Sequence, residues 1–275
     1  EIRLSLVGSE MCIRDSAGTG GDGANTINIT TAASLTAAAG GVKMIKCGNR
    51  SVSSKSGSAD VLEALNIPLD LDPDRAVRQF ESSNFTFLFA PAYNPAIAFV
   101  QQVRKALGVS TLFNTMGPLL SPARPEFQIM GIANPALGQV IAETMRELGR
   151  NRALVVHGAG TDEIAVHGDT EVWELKDGEI THYTVTPEEL GVERHSLEDL
   201  RGGNGAENAA FMRATFAGEG PAAHRDAVAV SAGAMFYLYG IADSLAAGTE
   251  HAKQLLANGT VADWLATHEE ADYSG

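Results

Sequence analysis

Residues 18–31, Gly18-Thr19-Gly20-Gly21-Asp22-Gly23-Ala24-Asn25-Thr26-Ile27-Asn28-Ile29-Thr30-Thr31, run from a glycine-rich loop into an alanine-rich helix that stops at Gly40-Gly41. Four glycines within residues 18–23 let the backbone turn its N–H groups inward and approach a ligand closely. Thr30 and Thr31 are placed to cap the helix, whose N-terminus favours negative charge. Asp22, Asn28 and the two threonines suit a metal-bridged phosphate better than a linker.

Charge along the chain supports that reading. The 275 residues carry a formal net charge of −14, which argues against a general nucleic-acid or anionic-membrane surface. No acidic residue occurs between Asp22 and Asp60, whereas Lys43, Lys46, Arg50 and Lys55 all do. A cationic, hydroxyl-rich interval in an acidic protein fits a small polyanionic ligand. With only Cys12 and Cys47, no disulfide framework is expected and a reducing cytoplasm is the default compartment. No apolar run reaches the length of a membrane span, and no Cys/His spacing suggests zinc.

Downstream, apolar patterning alternates between strand and helix. Strands are expected over residues 42–46, 85–89, 127–132 and 152–156. Helices are expected over 58–65, from the Asp72-Pro73 cap to Phe80, over 94–107, 111–116 and 135–148, and over much of the chain from Ser196. Lys176-Asp177-Gly178-Glu179 reads as a hairpin turn. The alternation predicts an α/β fold, a largely parallel sheet flanked by helices. Residues 1–16, EIRLSLVGSEMCIRDS, lack the features of a signal peptide. They resemble a spurious translated end of the kind some assembled environmental sequences carry. They are therefore left outside the expected fold, with the strand entering Gly18 overwritten.

Three features could converge on one site: the Gly18 loop, the cationic loop from Lys46 to Ser58, and the pair Asp162-Glu163. The acidic pair follows a core strand at the sheet's carboxyl end, where open α/β folds bind ligands. Its hard oxygens suit Mg2+ shared with substrate phosphates. The glycine loop lacks the Lys-Ser/Thr ending of a Walker A sequence. Its G-x-G-x-x-G spacing fits a dinucleotide poorly, because Asp22 would face the pyrophosphate. His157 and His167 read as loop or strand-end residues, and Cys47 has no apparent partner that would make it a nucleophile.

The segments GTGGDGANTINITTAAS (18–34), KCGNRSVSSKSGSADVLEALN (46–66), FLFAPAYNPA (87–96), VRKALGVSTLFNTMGPLLSPA (103–123) and HGAGTDEI (157–164) together resemble the anthranilate phosphoribosyltransferase family. The likeness covers essentially residues 17–275. It implies a nucleoside phosphorylase/phosphoribosyltransferase-like fold, with an α/β domain over 17–93 and 120–275 and the remnant of a smaller helical domain over 94–119. It also implies transfer of a phosphoribosyl group from phosphoribosyl pyrophosphate to anthranilate, in tryptophan biosynthesis. Carried over by position, Gly18, Gly21, Asp22, Thr26, Asn28, Ile29, Thr30 and Thr31 resemble the phosphoribosyl pyrophosphate loop. Lys46, Cys47, Gly48, Asn49, Arg50, Ser51, Val52, Ser53, Ser54 and Ser58 match the second phosphate segment. Gly18, Asn49 and Arg104 match anthranilate positions; Thr30, Asp162 and Glu163 match the Mg2+ ligands. Thr30 stands where the family usually has serine, and Cys47 and Asn94 stand where it frequently has histidine. The resemblance assigns no general acid or base. It implies a homodimer built on N-terminal helices that this sequence lacks. A pyrimidine nucleoside phosphorylase-like enzyme, which shares the fold, and a non-catalytic nucleic-acid-binding relative are the alternatives.

Overall fold

The computed structural model describes residues 14–20, 22–50, 55–89, 112–121, 123–269 and 271–273. Their centre is a seven-stranded sheet in the order β3-β2-β1-β4-β5-β6-β7. The strands are β1 (Arg14–Gly18), β2 (Met44–Gly48), β3 (Phe85–Phe89), β4 (Phe127–Gly131), β5 (Arg152–Gly158), β6 (Thr170–Lys176) and β7 (Glu179–Val185). The first five in this spatial order pair in parallel, and β5-β6-β7 are antiparallel. The hairpin turn falls on Asp177-Gly178, both at positive φ, which is the conformation a two-residue turn between twisted strands requires.

Arg14, Asp15 and Ser16, left outside the fold in the sequence reading, are the first three residues of β1, an interior strand. β1 pairs with β4 from Arg14 to Gly18 and with β2 at Arg14. The sequence RDSAG has no β-branched or aromatic residue, so nothing local marks it as a strand. Its conformation is imposed by ladders on both sides.

The helices are α1 (Ile29–Ala39), α2 (Ser58–Ala64), α3 (Pro73–Ser83), α4 (Leu112–Leu119), α5 (Gly138–Glu147), α6 (Gly205–Phe216), α7 (Ala222–Leu238), α8 (Leu245–Ala257) and α9 (Thr260–His268). The helix expected over 94–107 lies outside the described residues. Asp72 caps α3 as its chemistry predicts, accepting from the Arg75 N–H at 3.0 Å. Thr30 and Thr31 do not cap α1; both lie inside it. Asn28 is the N-cap, and its side chain is engaged elsewhere, so it makes no cap bond.

One face of the sheet packs Met44, Ile129, Leu154 and Val156 against α1, α6, α7 and α8. Helix α1 is buried from Thr31 to Ala38, which explains its small residues: only a thin helix fits between the sheet and α7. The opposite face carries α5, through Ile141, Ala142 and Met145, and α3, through Phe80. Among the described residues, no helix is long and apolar enough to cross a membrane.

Candidate active site

Strands β1 and β4 are neighbours in space, but the chain leaves them in opposite directions across the sheet, β1 toward β2 and β4 toward β5. This reversal opens a crevice at the carboxyl ends of Gly18 and Gly131, where open α/β sheets receive ligands. Those two glycines are register partners. The loop after β5 turns tightly through Ala159 and Gly160, both at positive φ, with Thr161 Oγ1 donating to the Gly158 carbonyl at 2.7 Å. That turn brings Asp162 down onto the glycine pair. A Cβ on Gly18 would run into Asp162 Oδ2, and one on Gly131 into the Asp162 backbone. Both positions therefore need glycine for close approach. The need at Gly131 left no signal in the sequence around it.

Asp162 Oδ2 accepts from the Gly20 N–H at 2.6 Å, which ties the first glycine loop to the acidic pair. Glu163 Oε1 accepts from Thr30 Oγ1 at 2.5 Å, which joins the same pair to the first turn of α1. Burial holds both carboxyls above the usual carboxylate range. Asp22 adds to the effect at Asp162, and Asp162 adds to it at Glu163. The Lys46 ammonium partly offsets this from below. It is buried, donates to the Ser16 carbonyl at 2.9 Å, and lies in the field of Asp15, Glu163 and Asp162. Burial pulls its own pKa down, and those acids pull it back up.

The second expected segment joins through backbone and hydroxyl groups. Ser58 opens α2, and its Oγ donates to the Asn49 carbonyl at 3.5 Å. Asn28 links this segment to the rest: its Nδ2 donates to the Ser56 carbonyl at 3.1 Å, and its Oδ1 accepts from Asn208 Nδ2 at 2.7 Å. Asn208, buried on α6, holds the loop from the far side. Nothing near it in the sequence pointed to that role. Thr26 bridges to Arg201 and fixes the loop's return.

Other expected residues stand apart. The side chains of Ile29 and Thr31 face the core, so only their backbone can meet a ligand. Cys47 follows Lys46 on β2 and points to the opposite face, against Ile45, Phe80, Leu88 and Ala123. Burial and Asp15 push its thiol up to about 12, so it is no nucleophile. Arg50 turns outward: its Nη1 and Nη2 grip Glu63 at 2.6 and 2.8 Å, with Asp60 at 3.7 Å. His157 Nδ1 lies 2.8 Å from the Ile132 carbonyl, a bond between strand ends. Gly21, Ser51, Val52, Ser53, Ser54, Asn94 and Arg104 lie outside the described residues.

The donor set at the crevice is hard oxygen: two carboxylates and the Thr30 hydroxyl, with Asp22 nearby. Among the described residues, no three His, Cys, Asp or Glu side chains gather into a cation site by themselves. Such a set fits Mg2+, which binds through one or two carboxylates and completes its shell with waters and phosphate oxygens.

Residues 10–262 match the family described as "Glycosyl transferase family, a/b domain". The anthranilate phosphoribosyltransferase of Corynebacterium aurimucosum is 74% identical over 261 residues, 95% of this chain and 76% of that protein. The crystal structure of the Thermus thermophilus anthranilate phosphoribosyltransferase superposes with a TM-score of 0.88 at 44% identity, over 95% of this chain and 78% of that one. The Saccharomyces cerevisiae enzyme in complex with PRPP and Mg gives 0.85 at 25% identity, over 98% and 77%. The chain belongs to the anthranilate phosphoribosyltransferase family.

Proposed function

We infer that the chain transfers the phosphoribosyl group of phosphoribosyl pyrophosphate to the amine of anthranilate, giving N-(5-phosphoribosyl)anthranilate and pyrophosphate. The observation that carries the site assignment is the convergence of Gly18, Gly20, Thr30, Asp162 and Glu163 at the crevice between β1 and β4.

The chemistry asks little acid–base work of the protein. An aromatic amine is neutral at pH 7 and attacks the anomeric carbon directly, and the difficult event is departure of a highly charged diphosphate. The N–H groups of the glycine loop and the first turn of α1 bind that diphosphate, and the loop is braced by Asp162, Asn28 and Thr26. Asp162, Glu163 and Thr30 would hold Mg2+. When bound, the ion neutralises charge building on the leaving group. Lys46 sits too deep to be a mobile clamp. It acts as a fixed positive charge near Glu163, which favours that carboxylate's charged form against the burial that disfavours it. Asn49 and Arg104 orient the anthranilate.

The remnant of a smaller helical domain over residues 94–119, which the family likeness supports, and a cytoplasmic location, which the sparse cysteines support, complete this reading. The test is fluorimetric. Anthranilate fluorescence should fall only when phosphoribosyl pyrophosphate and Mg2+ are both present with the purified chain. A fall that ignores either addition, or no fall with both at saturation, removes the reading.

A further inference from the structure

Helix α7 runs behind the crevice and carries there a polar side chain, Ser231, whose chemistry is otherwise unexplained. Ser231 is 5% exposed, and its hydroxyl has no hydrogen-bond partner. A buried hydroxyl left in that state is costly. The usual remedy inside a helix is donation to the carbonyl four residues earlier. Ser34 and Thr36 on α1, and Thr249 on α8, all do this, at 2.7, 2.9 and 3.0 Å, and both helices pack against α7. Ser231 does not. It lines a small pocket shared with Thr30, Asp162, Glu163, Ser16 and Met235. The space open to the centre of a water molecule there is about 10 Å³, near the least that admits one water, and the polar lining supplies the partners such a water needs.

We propose that Ser231 is a positioning residue of the metal site, its hydroxyl holding one water that donates to the Glu163 carboxylate. Thr30 fixes Glu163 from one side at Oε1. The water held by Ser231 fixes it from the helix side, so the carboxylate meets the cation in one orientation. Losing a contact of this outer kind commonly weakens metal binding by about 10- to 100-fold. The inference rests on the reading of Asp162 and Glu163 as ligands.

The experiment titrates Mn2+ alone into the full chain and reads free ion by electron paramagnetic resonance. Ser231→Ala should bind Mn2+ roughly tenfold more weakly, with a melting temperature within a few degrees of the parent. Ser231→Thr, which keeps the hydroxyl, should stay within about threefold. Asp162→Asn serves as the control and should lose the site. If Ser231→Ala binds within twofold of the parent while Asp162→Asn does not bind, this inference fails and the metal reading stands. The inference fails in the same way if Ser231→Thr is as weak as Ser231→Ala. Parent-like binding by Asp162→Asn removes the metal reading, and this inference with it.

Discussion

Two acidic clusters occupy opposite ends of the same strands and are treated in opposite ways. Toward the amino end of β5, Glu174 is buried yet fully served. Tyr183 and Tyr237 each donate a hydroxyl at 2.9 Å, and Arg152 Nη2 approaches at 3.3 Å while its guanidinium stacks 4.9 Å above the Tyr237 ring. That cluster joins β5, β6, β7 and α7. At the carboxyl end, Asp162 receives one backbone N–H and Glu163 one hydroxyl, and the nearest further groups to them include acids. A buried acid that serves the fold is surrounded by donors. The acids at the crevice are left short of positive charge, which is the state expected of groups that complete themselves on a ligand.

The contrast breaks most visibly, or holds, when each cluster is neutralised. Asp162→Asn combined with Glu163→Gln should lower turnover by roughly 100- to 1,000-fold at limiting Mg2+. Its melting temperature should not fall, because burial penalises both charges. Initial rates across a Mg2+ series and a thermal melt decide it. Unchanged Mg2+ dependence would take the carboxylates out of the site. Glu174→Gln should do the reverse. It leaves the half-buried Arg152 charge without its counter-ion and should cost about 2 to 3 kcal/mol of stability, with kcat/KM of the folded protein within twofold. A loss of activity without a loss of stability would make the two clusters alike.

How much of this was legible in sequence follows from what decides each feature. The stop of α1 at Gly40, the Asp72-Pro73 cap, the strand Phe85–Phe89 and the Asp177-Gly178 turn are set by residues within a few positions, and they read correctly. The strand Arg14–Gly18 is set by neighbours on both sides, so its own residues carry no signal. The loops that converge at the crevice could be named from residue type, because glycines, hydroxyls and paired acids state their chemistry. Side-chain direction could not. Arg50 has the right charge for a phosphate, but Glu63 and Asp60 hold it outward. Asn208, Gly131 and Ser231 act only through partners remote in the chain, and no local pattern announces such roles.

A third buried acid lies between the two extremes. Asp15 sits on the sheet face away from α1, where no hydrogen bond of good geometry reaches its oxygens and the Ser121 hydroxyl and the N–H groups of Ser16 and Cys47 only weakly favour its charged form. Nearby, Arg150 Nε donates to Gln128 Oε1 at 3.0 Å, and Gln128 Nε2 donates to the Pro118 carbonyl at 2.9 Å, which fastens the end of α4 to the sheet. Burial raises the Asp15 carboxyl from 3.8 to about 6, with Lys46 pulling it down in part. The folded state therefore holds this proton more tightly than the unfolded chain. Stability from this group is full below about pH 4 and falls as pH rises to about 6, with a ceiling of roughly 3 kcal/mol. Asp15→Asn should flatten that slope and raise the melting temperature at pH 7.5, by less than the ceiling because Lys46 loses a counter-charge. Melts of both proteins from pH 4 to 7.5 give the difference curve. Parallel curves would mean that Asp15 is as well served as Glu174.

The smallest effect tests the side-chain donor to Glu163. Thr30 Oγ1 donates to Glu163 Oε1 at 2.5 Å from the first turn of α1. Serine shares only the hydroxyl with threonine, and the hydroxyl rather than the methyl should matter here. Thr30→Val keeps the branched shape and removes the donor, and it should lower turnover about tenfold at limiting Mg2+. Thr30→Ser keeps the donor and loses only the methyl, which restricts the side-chain rotamer. Its cost should stay within about threefold, carried by the freer hydroxyl and seen as a higher Mg2+ requirement rather than a lower maximal rate. If Ser and Val variants are equally impaired, the methyl is what positions the helix turn, and the Glu163 contact is incidental. If both match the parent, Glu163 needs no donor from the protein, and the carboxyl-end acids are barer still than the contrast with Glu174 already makes them.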